Sequence, residues 1–370
     1  MTASAEDWIR LVSVELPPRR IRQLLEQFEG NPQRLLAANE AEWCAIAPDL
    51  TKNQLTRMRG ARDRSFQKEL AWLNDNNGRI VPFDDPAYPA NLREIPESPI
   101  CLIARGESLP EDKFSIAIVG SRRATSYGLS LARRFARDLA AQGLTVVSGG
   151  ARGIDTQAHL GALDEGGRTL AYLGCGVDIS YPADNRKLFA EIANGHGALL
   201  SEFALGVRPE PWRFPARNRL ISGTSLGVLV IESPADSGSM ITAREAGDQG
   251  RDVFAIPGPI DTGRSAGCHK LIQDGAKLVQ TADDILVELG ILTLKSPGAK
   301  PESDQVSPAV ANLPPDQRKI LDLLTLQPKQ VQTLMAESAL SAPQVSTIVT
   351  MLEMRGLARR VPGNAFVRVL

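Results

Sequence analysis

A regular alternation of short apolar runs and amphipathic segments between residues 115 and 256 constrains the fold more than any other feature. The apolar runs have the length of strands and are rich in Val, Ile and Leu: Ser115–Val119, Thr145–Ser148, Thr169–Leu173, Ala198–Ser201, Leu226–Ile231 and Asp252–Ile256. The segments between them carry apolar residues at helical spacing, as in Tyr127–Gln142. Because continuous apolar strands belong to sheets covered on both faces, the pattern predicts an α/β fold with a mainly parallel sheet.

The region before this block is predicted to be a small helical domain over residues 1–75. Apolar residues recur at helical spacing from Trp8 to Phe28, before a Gly-Asn-Pro stop. Further helices are predicted over Arg34–Ala38, Glu40–Ala47 and Lys52–Leu73. Asn76–Glu111 is rich in Pro and Asp and is interpreted as a structured connector that opens the domain of residues 76–290.

The composition changes again after Leu289. Lys295–Pro315 is rich in Pro, Ser and Ala, so a linker is placed at 291–313. Three helices are then expected, over Asp316–Leu326, Val331–Ser338 and Ala342–Arg355. Two short strands follow, on either side of Pro362-Gly363-Asn364. Three helices and a hairpin predict a winged helix-turn-helix over residues 314–370.

Charge and composition exclude several classes of protein. Lys and Arg number 42 against 43 Asp and Glu, so the net charge is −1 and a uniformly basic nucleic-acid binder is excluded. No basic-then-apolar leader and no run of 18 apolar residues occurs, so neither a signal peptide nor a membrane span is predicted. The four cysteines lie far apart and favour a reducing, cytoplasmic compartment.

Two glycine-rich loops follow adjacent predicted strands. The first is Gly120-Ser121-Arg122-Arg123, and the second runs from Gly149 through Arg152 to Gly153. In a parallel sheet, ligands bind at the carboxyl ends of the strands, where free N–H groups and a helix dipole favour an anion. The pair of loops therefore favours phosphate binding. The alternative is that the glycines only form tight turns and that Arg122 pairs with a carboxylate.

The run Trp212–Arg219, predicted to be a loop, combines three arginines with an asparagine and two aromatic residues. Such mixtures bind single-stranded nucleic acid, because cations follow the backbone while aromatic faces stack on bases. The alternative is that the arginines pair with Glu202 and Glu232. We expect Arg219 to be structural and Arg217 to face the ligand.

A further set of hydroxyls, Ser237 and Ser239, opens another helix and either caps it or contacts a phosphate. A nicotinamide cofactor is disfavoured, because Gly174–Ile179 lacks the third glycine of a dinucleotide fingerprint. The three histidines are isolated in sequence, so no metal site is predicted. His159 has no hydroxyl or thiol partner in sequence, and we assign no catalytic residue and no cofactor.

Several segments, in order between roughly Pro82 and Leu289, resemble a known family. They include IAIVGSRRATSYG, SGGARGIDTQAH, YPADNRKL, FPARNRLISG and VIESPADSGSMITAREA. Together they resemble the DprA/Smf family, the DNA-processing proteins of natural transformation. The resemblance implies an extended Rossmann-like fold that binds single-stranded DNA without sequence preference and forms a homodimer. It also implies protection of incoming DNA and loading of the recombinase RecA onto DNA coated by single-strand-binding protein.

The family's DNA-binding motifs carry over to the two glycine-rich loops and to the Phe-Pro-Ala-Arg-Asn-Arg segment. With the neighbouring basic and hydroxyl residues, the predicted DNA-binding set is Gly120, Ser121, Arg122, Arg123, Gly149, Arg152, Gly153, Arg186, Lys187, Phe214, Arg217, Asn218, Arg219, Ser237 and Ser239.

Three departures from the family pattern bear on function. Gly150 stands where the family commonly has Leu, which is expected to loosen that turn. Ala183 stands where many members have a basic residue, so that phosphate contact is missing or shifts to Arg186 or Lys187. Pro17 and Pro18 replace a glycine-rich hairpin and offer no N–H to a phosphate.

Two other functions compete with a recombination mediator. The fold family includes phosphoribohydrolases, and Glu202 with Glu232 would be the candidate carboxylate pair for glycosidic cleavage. A transcription regulator would insert Ser341–Arg355 into the major groove, but the first residues of that helix carry no Arg or Lys. A protein-interaction or weak backbone-binding role is therefore favoured for the winged helix.

Overall fold

Six short helices occupy the N-terminal region. The computed structural model describes residues 3–291, 313–325, 329–338, 340–355, 357–361 and 365–368. The helices are α1 (Ala5–Ser13), α2 (Pro18–Gln27), α3 (Pro32–Ala37), α4 (Glu40–Ile46), α5 (Lys52–Asp63) and α6 (Gln67–Asp75). Their apolar faces enclose Leu24, Leu35, Trp43 and Met58 in a shared core.

The single helix predicted over Lys52–Leu73 is wrong, because the chain leaves helical geometry between α5 and α6. Arg64 adopts an extended backbone, and Phe66 precedes the second helix. The break lets Phe66 pack with Ile9 in the core that joins this region to the sheet. Burial of a whole aromatic side chain offsets the loss of a few helical hydrogen bonds.

A nine-stranded sheet lies at the centre of the molecule. Its strands are β1 (Gly78–Pro82), β2 (Cys101–Gly106), β3 (Ser115–Val119), β4 (Thr145–Ser148), β5 (Thr169–Tyr172), β6 (Gly197–Ser201), β7 (Gly227–Val230), β8 (Asp252–Ala255) and β9 (Lys277–Leu278). The strand order is β1-β2-β6-β5-β4-β3-β7-β8-β9, and the strands from β6 to β9 in that order run parallel. The predicted α/β fold with a mainly parallel sheet is confirmed, and each of the six predicted strands is present.

The predicted connector over Asn76–Glu111 contains two additional strands. β1 pairs with β2 antiparallel, from Gly78 opposite Arg105 to Pro82 opposite Cys101. The Pro- and Asp-rich stretch forms the loop between them. Its turn-forming residues masked the short apolar runs on either side, which is why composition indicated a connector only.

Helices cover both faces of the sheet. They are α7 (Ser126–Ala141), α8 (Ile154–Asp164), α9 (Arg186–Glu191), α10 (Arg213–Thr224), α11 (Gly238–Asp248), α12 (Ala266–Gln273) and α13 (Ala282–Glu288). Along β3, Ala117 and Val119 pack into one core while Ile116 and Ile118 pack into the other. The strand is therefore buried on both sides, as its continuous apolar sequence predicted.

The C-terminal region contains three helices and a small antiparallel sheet. The elements are α14 (Pro315–Leu323), β10 (Lys329–Gln330), α15 (Val331–Ser338), α16 (Ala342–Met354), β11 (Ala358–Val361) and β12 (Ala365–Arg368), with strand order β10-β12-β11. This is the predicted winged helix. The predicted turn at 362–364 lies outside the described residues, as does the predicted linker except for Ile291 and Leu313. None of the described helices combines the length and apolarity that crossing a membrane requires.

Candidate nucleic-acid interface

A cleft of about 950 Å³ opens at the carboxyl ends of β3 and β7. The strand order reverses between these two strands, since β3 leads to β4 on one side and pairs with β7 on the other. Such a reversal leaves a crevice in which ligands of open parallel sheets bind. We call it the switch-point cleft; its walls come from the loops after β3, β4, β7 and β8, from Tyr181 and from the first turns of α10.

The loop after β3 forms one wall and depends on close backbone packing. The Ser121 N–H donates to the Glu232 carbonyl oxygen at 2.7 Å, and the Arg123 N–H donates to the Ser121 hydroxyl at 3.1 Å. A side chain at Gly120 would place Cβ 2.8 Å from that same carbonyl, and one at Gly153 would place it 2.3 Å from the Ser121 carbonyl. Both glycines are therefore required for these loops to touch.

Arg122 and Arg123 project from this loop and are exposed. The Arg122 guanidinium lies 5.2 Å from the centre of the Phe214 ring. Arg264, from the loop before α12, donates to the Arg123 carbonyl at 3.0 Å. Within the described part of the chain, no carboxylate lies at ion-pair distance from any of these three arginines. The alternative that Arg122 pairs with a carboxylate is wrong.

The carboxylate of Glu232 is bound by Thr125. It accepts hydrogen bonds from the Thr125 N–H at 3.0 Å and from the Thr125 hydroxyl at 2.5 Å. Glu232 is 4% exposed, and through these two bonds it fixes Thr125, the residue that caps α7. The alternative that an arginine pairs with Glu232 is wrong, so among the described residues this carboxylate neutralises no arginine of the cleft.

The loop after β4 differs from the loop after β3 because its N–H groups bind a carboxylate of the protein. The Asp155 carboxylate accepts hydrogen bonds from the N–H groups of Gly149 at 3.2 Å and Ala151 at 3.3 Å. Burial raises the pKa of this carboxyl, while the charge of nearby Arg217 acts in the opposite direction. Two N–H groups that the sequence suggested could bind an anion therefore already donate to a carboxylate of the protein. Arg152 forms an exposed ion pair with Asp184, with Nε and Oδ2 2.6 Å apart.

Arg217, which the sequence suggested would face the ligand, borders the cleft but is almost completely buried. It is 3% exposed, and its Nη1 donates to the carbonyl oxygens of Gly149, at 2.6 Å, and of Tyr172. Burial lowers the pKa of its guanidinium to about 10. A Cβ at Gly149 would meet that guanidinium at 2.4 Å. Arg217 therefore joins the ends of β4 and β5 beneath the cleft.

Arg219 and Asn218 also have structural partners. Arg219 forms a two-point ion pair with Glu202, at 2.7 and 2.6 Å, as expected of a structural arginine. The Asn218 amide donates to the Gly238 carbonyl at 3.1 Å and joins α10 to α11. The segment that carries them is helical from Arg213, so the predicted loop is wrong; a proline in the first turn of a helix is tolerated.

Aromatic side chains line the cleft beside its cations. The Tyr181 and Phe214 rings lie 5.5 Å apart at 32°. Tyr181 is 43% exposed and offers a stacking surface beside Arg122. On the opposite wall the hydroxyls of Ser233, Ser237 and Ser239 lie 2.5–2.9 Å from one another. The Ser237 hydroxyl makes no capping bond to α11, so the capping alternative is wrong for that residue.

The carboxylates proposed for a hydrolase are far apart in the sheet. Glu202 follows β6 and Glu232 follows β7, four strand positions away. At ~4.8 Å per strand the two lie ~19 Å apart, beyond the roughly 5–9.5 Å that glycosidases use. With one bound to Arg219 and the other to Thr125, they do not form a catalytic pair.

Comparison with known proteins identifies the family to which the chain is similar. The model of the DNA recombination-mediator protein A family matches residues 79–290, and that of the DprA winged helix domain matches residues 304–364. The chain belongs to the DNA recombination-mediator protein A family. It is 38% identical over 320 residues to protein Smf of Escherichia coli, covering 86% of this chain and 85% of that one. It is 41% identical over 276 residues to DprA of Streptococcus pneumoniae, covering 74% and 94%.

Solved structures of the family show the same fold. The structure of DprA from S. pneumoniae aligns with a TM-score of 0.66 at 36% identity, covering 78% of this chain and 99% of that chain. A structure of DNA processing protein A from Helicobacter pylori, described for its single-stranded DNA binding mode, aligns with a TM-score of 0.50 at 32% identity. It covers 54% of this chain and 92% of that chain.

The structure brings together part of the predicted DNA-binding set. Six of its members line the cleft and are exposed or half-buried: Gly120, Ser121, Arg122, Arg123, Phe214 and Ser237. Arg217, Asn218 and Ser239 also border the cleft but are buried. Arg186 and Lys187 are exposed on α9, outside the residues that line the cleft. Sequence reasoning missed Tyr181 and Arg264. The position of Arg264 after β8 could have suggested it, because β8 ends at the same edge of the sheet as β3 and β7.

Proposed function

We propose that this protein is a single-stranded DNA-binding recombination mediator that binds DNA in the switch-point cleft. The observation that carries the proposal is a group of three exposed arginines, Arg122, Arg123 and Arg264, which lie beside Phe214 and Tyr181 and pair with no carboxylate of the described residues. Cations beside stacking surfaces suit a flexible strand and read no sequence. The DNA-binding mode described for the H. pylori relative supports the same assignment.

Binding of labelled oligo-dT, followed by fluorescence anisotropy across a salt series, tests this proposal. Each phosphate neutralised on a single strand adds about −0.7 to the slope of log affinity against log salt. Arg122→Ala, Arg123→Ala and Arg264→Ala should each weaken binding and make that slope shallower by about 0.7. Arg59→Ala is the matched control, because Arg59 is an exposed arginine of α5 whose ion pair with Glu40 lies at the surface.

Two results would contradict the proposal. The first is absence of oligo-dT binding by the wild type. The second is unchanged affinity and slope in all three arginine variants, with wild-type circular dichroism spectra.

The mediator role is the finer part of the proposal. In the cytoplasm, the protein would protect incoming DNA during natural transformation and load RecA onto DNA coated by single-strand-binding protein. Family membership and relatives such as S. pneumoniae DprA support this role. The lag before RecA hydrolyses ATP on coated circular single-stranded DNA measures loading. The wild type should shorten the lag, whereas the Arg122→Ala, Arg123→Ala double variant should not.

The winged helix is proposed to contact protein or nucleic-acid backbone rather than to read duplex sequence. Helix α16 carries neither Arg nor Lys, and it exposes Ser346, Met351 and Met354. A readout of base edges in the major groove depends on long polar side chains, arginine above all. Removal of residues 314–370 should leave oligo-dT affinity within about threefold of wild type, and a larger loss would assign that region a main DNA contact.

We also propose that the protein forms a homodimer through the region of the central sheet. β9 is an edge strand of two residues whose Leu278 is exposed, and Val287 of α13 is 78% exposed beside it. The Lys277–Glu288 ion pair at 2.8 Å holds these two elements together. An exposed edge strand with apolar neighbours is suited to pairing with a second copy. Leu278→Asp should give monomers in sedimentation velocity, while Phe114→Asp, at an exposed apolar site elsewhere, should not.

A further inference from the structure

A second cavity, of about 370 Å³, lies between the α1–α2 turn and the first turn of α10. Its apolar walls include Leu16, Pro17, Pro18, Ile100 and Phe203. Trp212 and Arg213 line it, whereas the adjacent residues Pro211 and Phe214 line the switch-point cleft. The first turn of α10 therefore borders both spaces, so a single DNA strand that crosses this turn would contact both.

The charges of the second cavity neutralise one another. Arg213 donates from both Nη atoms to Glu15 at 3.2 Å, and Arg219 is paired with Glu202. These ion pairs contrast with Arg122, Arg123 and Arg264 of the switch-point cleft, for which the described residues supply no carboxylate partner. A phosphate gains little in such a balanced site, whereas an uncharged planar group can enter it without displacing an ion pair.

Trp212 is held as a platform at the mouth of this cavity. Its indole N–H donates to the Glu210 carboxylate at 2.5 Å, and its ring lies 4.3 Å from the Arg213 guanidinium carbon. The Phe203 ring meets it edge-on at 6.4 Å and 90°. Although fixed on these sides, Trp212 is 55% exposed. A rigid indole with open surface can bind a flat ligand at little cost in conformational entropy.

We propose that the second cavity binds a base of the DNA strand whose phosphates occupy the switch-point cleft, and that this base stacks on Trp212. This inference rests on the proposed function. The class of ligand is a nucleobase within a single strand, selected by stacking rather than by sequence.

Tryptophan fluorescence provides a direct test. Trp43 is fully buried and Trp8 and Trp72 are partly buried, so Trp212 is the most exposed of the four tryptophans. Titration of the full-length protein with oligo-dT should quench its emission. An abasic oligonucleotide of the same length should bind with the same salt slope but without that quenching, because it carries the phosphates and lacks the bases.

Variants separate stacking from folding. Trp212→Ala should weaken oligo-dT binding about tenfold with an unchanged salt slope, in line with the measured worth of a base–aromatic stack. Trp212→Phe should keep most of the affinity and lose most of the quenching. Trp72→Phe is the matched control and should retain both. Circular dichroism shows whether each variant is folded.

The outcomes distinguish this inference from the proposed function. If the wild type binds and Arg122→Ala weakens it, but Trp212→Phe retains both full affinity and the wild-type quenching, the base site is wrong and the cleft stands. Equal quenching by abasic and normal oligonucleotides would also overturn the base site. If the wild type binds no single strand, both proposals fail.

Discussion

The loops after β3 and β4 look alike in sequence and differ in what their polar groups contact. Each combines glycine with arginine before a helix. In the β3 loop the arginines are exposed and pair with no carboxylate in the part of the chain that the structure describes. In the β4 loop Asp155 binds two N–H groups and Arg152 pairs with Asp184. A glycine–arginine loop can therefore offer its N–H groups and its charge to an anion only where no carboxylate of the protein already binds them.

The largest expected effect comes from removing the carboxylate that organises the β4 loop. Asp155→Ala leaves the buried N–H of Gly149 and the partly buried N–H of Ala151 without their acceptor, and it leaves Arg217 without its nearby negative charge. We expect a loss of about 2–4 kcal/mol in the free energy of unfolding, measured by urea denaturation. Asp184→Ala, the exposed carboxylate of the same neighbourhood, should change it by less than about 0.5 kcal/mol. Equal stabilities for the two variants would contradict the contrast between the loops.

Arg217→Ala should destabilise the fold by a smaller amount, about 1–3 kcal/mol, by leaving the Gly149 and Tyr172 carbonyls unpaired. The effect is smaller because an isolated Asp155 can take up a proton, whereas an isolated Arg217 stays charged at neutral pH. The salt slope of oligo-dT binding should not change. A slope shallower by about 0.7 in a folded variant would restore Arg217 as a phosphate contact.

A third expected effect concerns pH and the helix that follows the β4 loop. Burial, with a further contribution from the charge of Arg217, lowers the pKa of His159 to about 3, and its Nδ1 lies 2.7 Å from the Thr169 hydroxyl. The unfolded chain takes up a proton near pH 6.5 and the folded chain does not, so stability should fall as pH decreases from about 6.5 toward 3. Urea midpoints at pH 7.5 and 5.0 measure this. His159→Gln should flatten the dependence, and His196→Gln should leave it as in wild type.

The smallest expected effect tests whether Arg152 can act like the arginines of the β3 loop. Asp184→Ala releases Arg152 from its exposed ion pair and removes a negative charge. Oligo-dT affinity should rise by up to about twofold at low salt, and the gain should vanish at high salt because exposed charges are screened. Weaker binding in this variant would show that Asp184 itself supports the DNA path.

At Gly150, which departs from the family pattern, a side chain from a distant segment fills the space of the missing one. The sequence suggested a looser turn where the family commonly has Leu. Gly150 has a φ of +64°, and a Cβ there would lie 2.7 Å from the Phe189 ring. The aromatic ring of α9 fills the volume that a side chain would take, so the turn is packed. The contact joins residues 39 positions apart, and no local pattern could have indicated it.

The arginines of the site show how much of it could be predicted from the sequence. The motifs located Arg122, Arg217 and Arg219 at the correct edge of the sheet, and Arg219 was correctly expected to be structural. The sequence did not indicate that Arg217 is buried, because the carbonyl oxygens that bind its guanidinium belong to Gly149 after β4 and Tyr172 of β5 rather than to its own segment. Arg264 and Tyr181 were missed, because their membership of the cleft depends on which strands lie side by side.

The sequence by itself determined the parallel strands, the helices that cover them and the family, since these follow from local apolar periodicity and contiguous motifs. Only the tertiary structure decided which polar groups remain available for a ligand. Arg213 is neutralised by Glu15, Arg219 by Glu202 and Arg152 by Asp184, each from a separate segment of the chain. The charge of a site is a sum over neighbours in space, and the strand order that sets those neighbours is a property of the folded sheet.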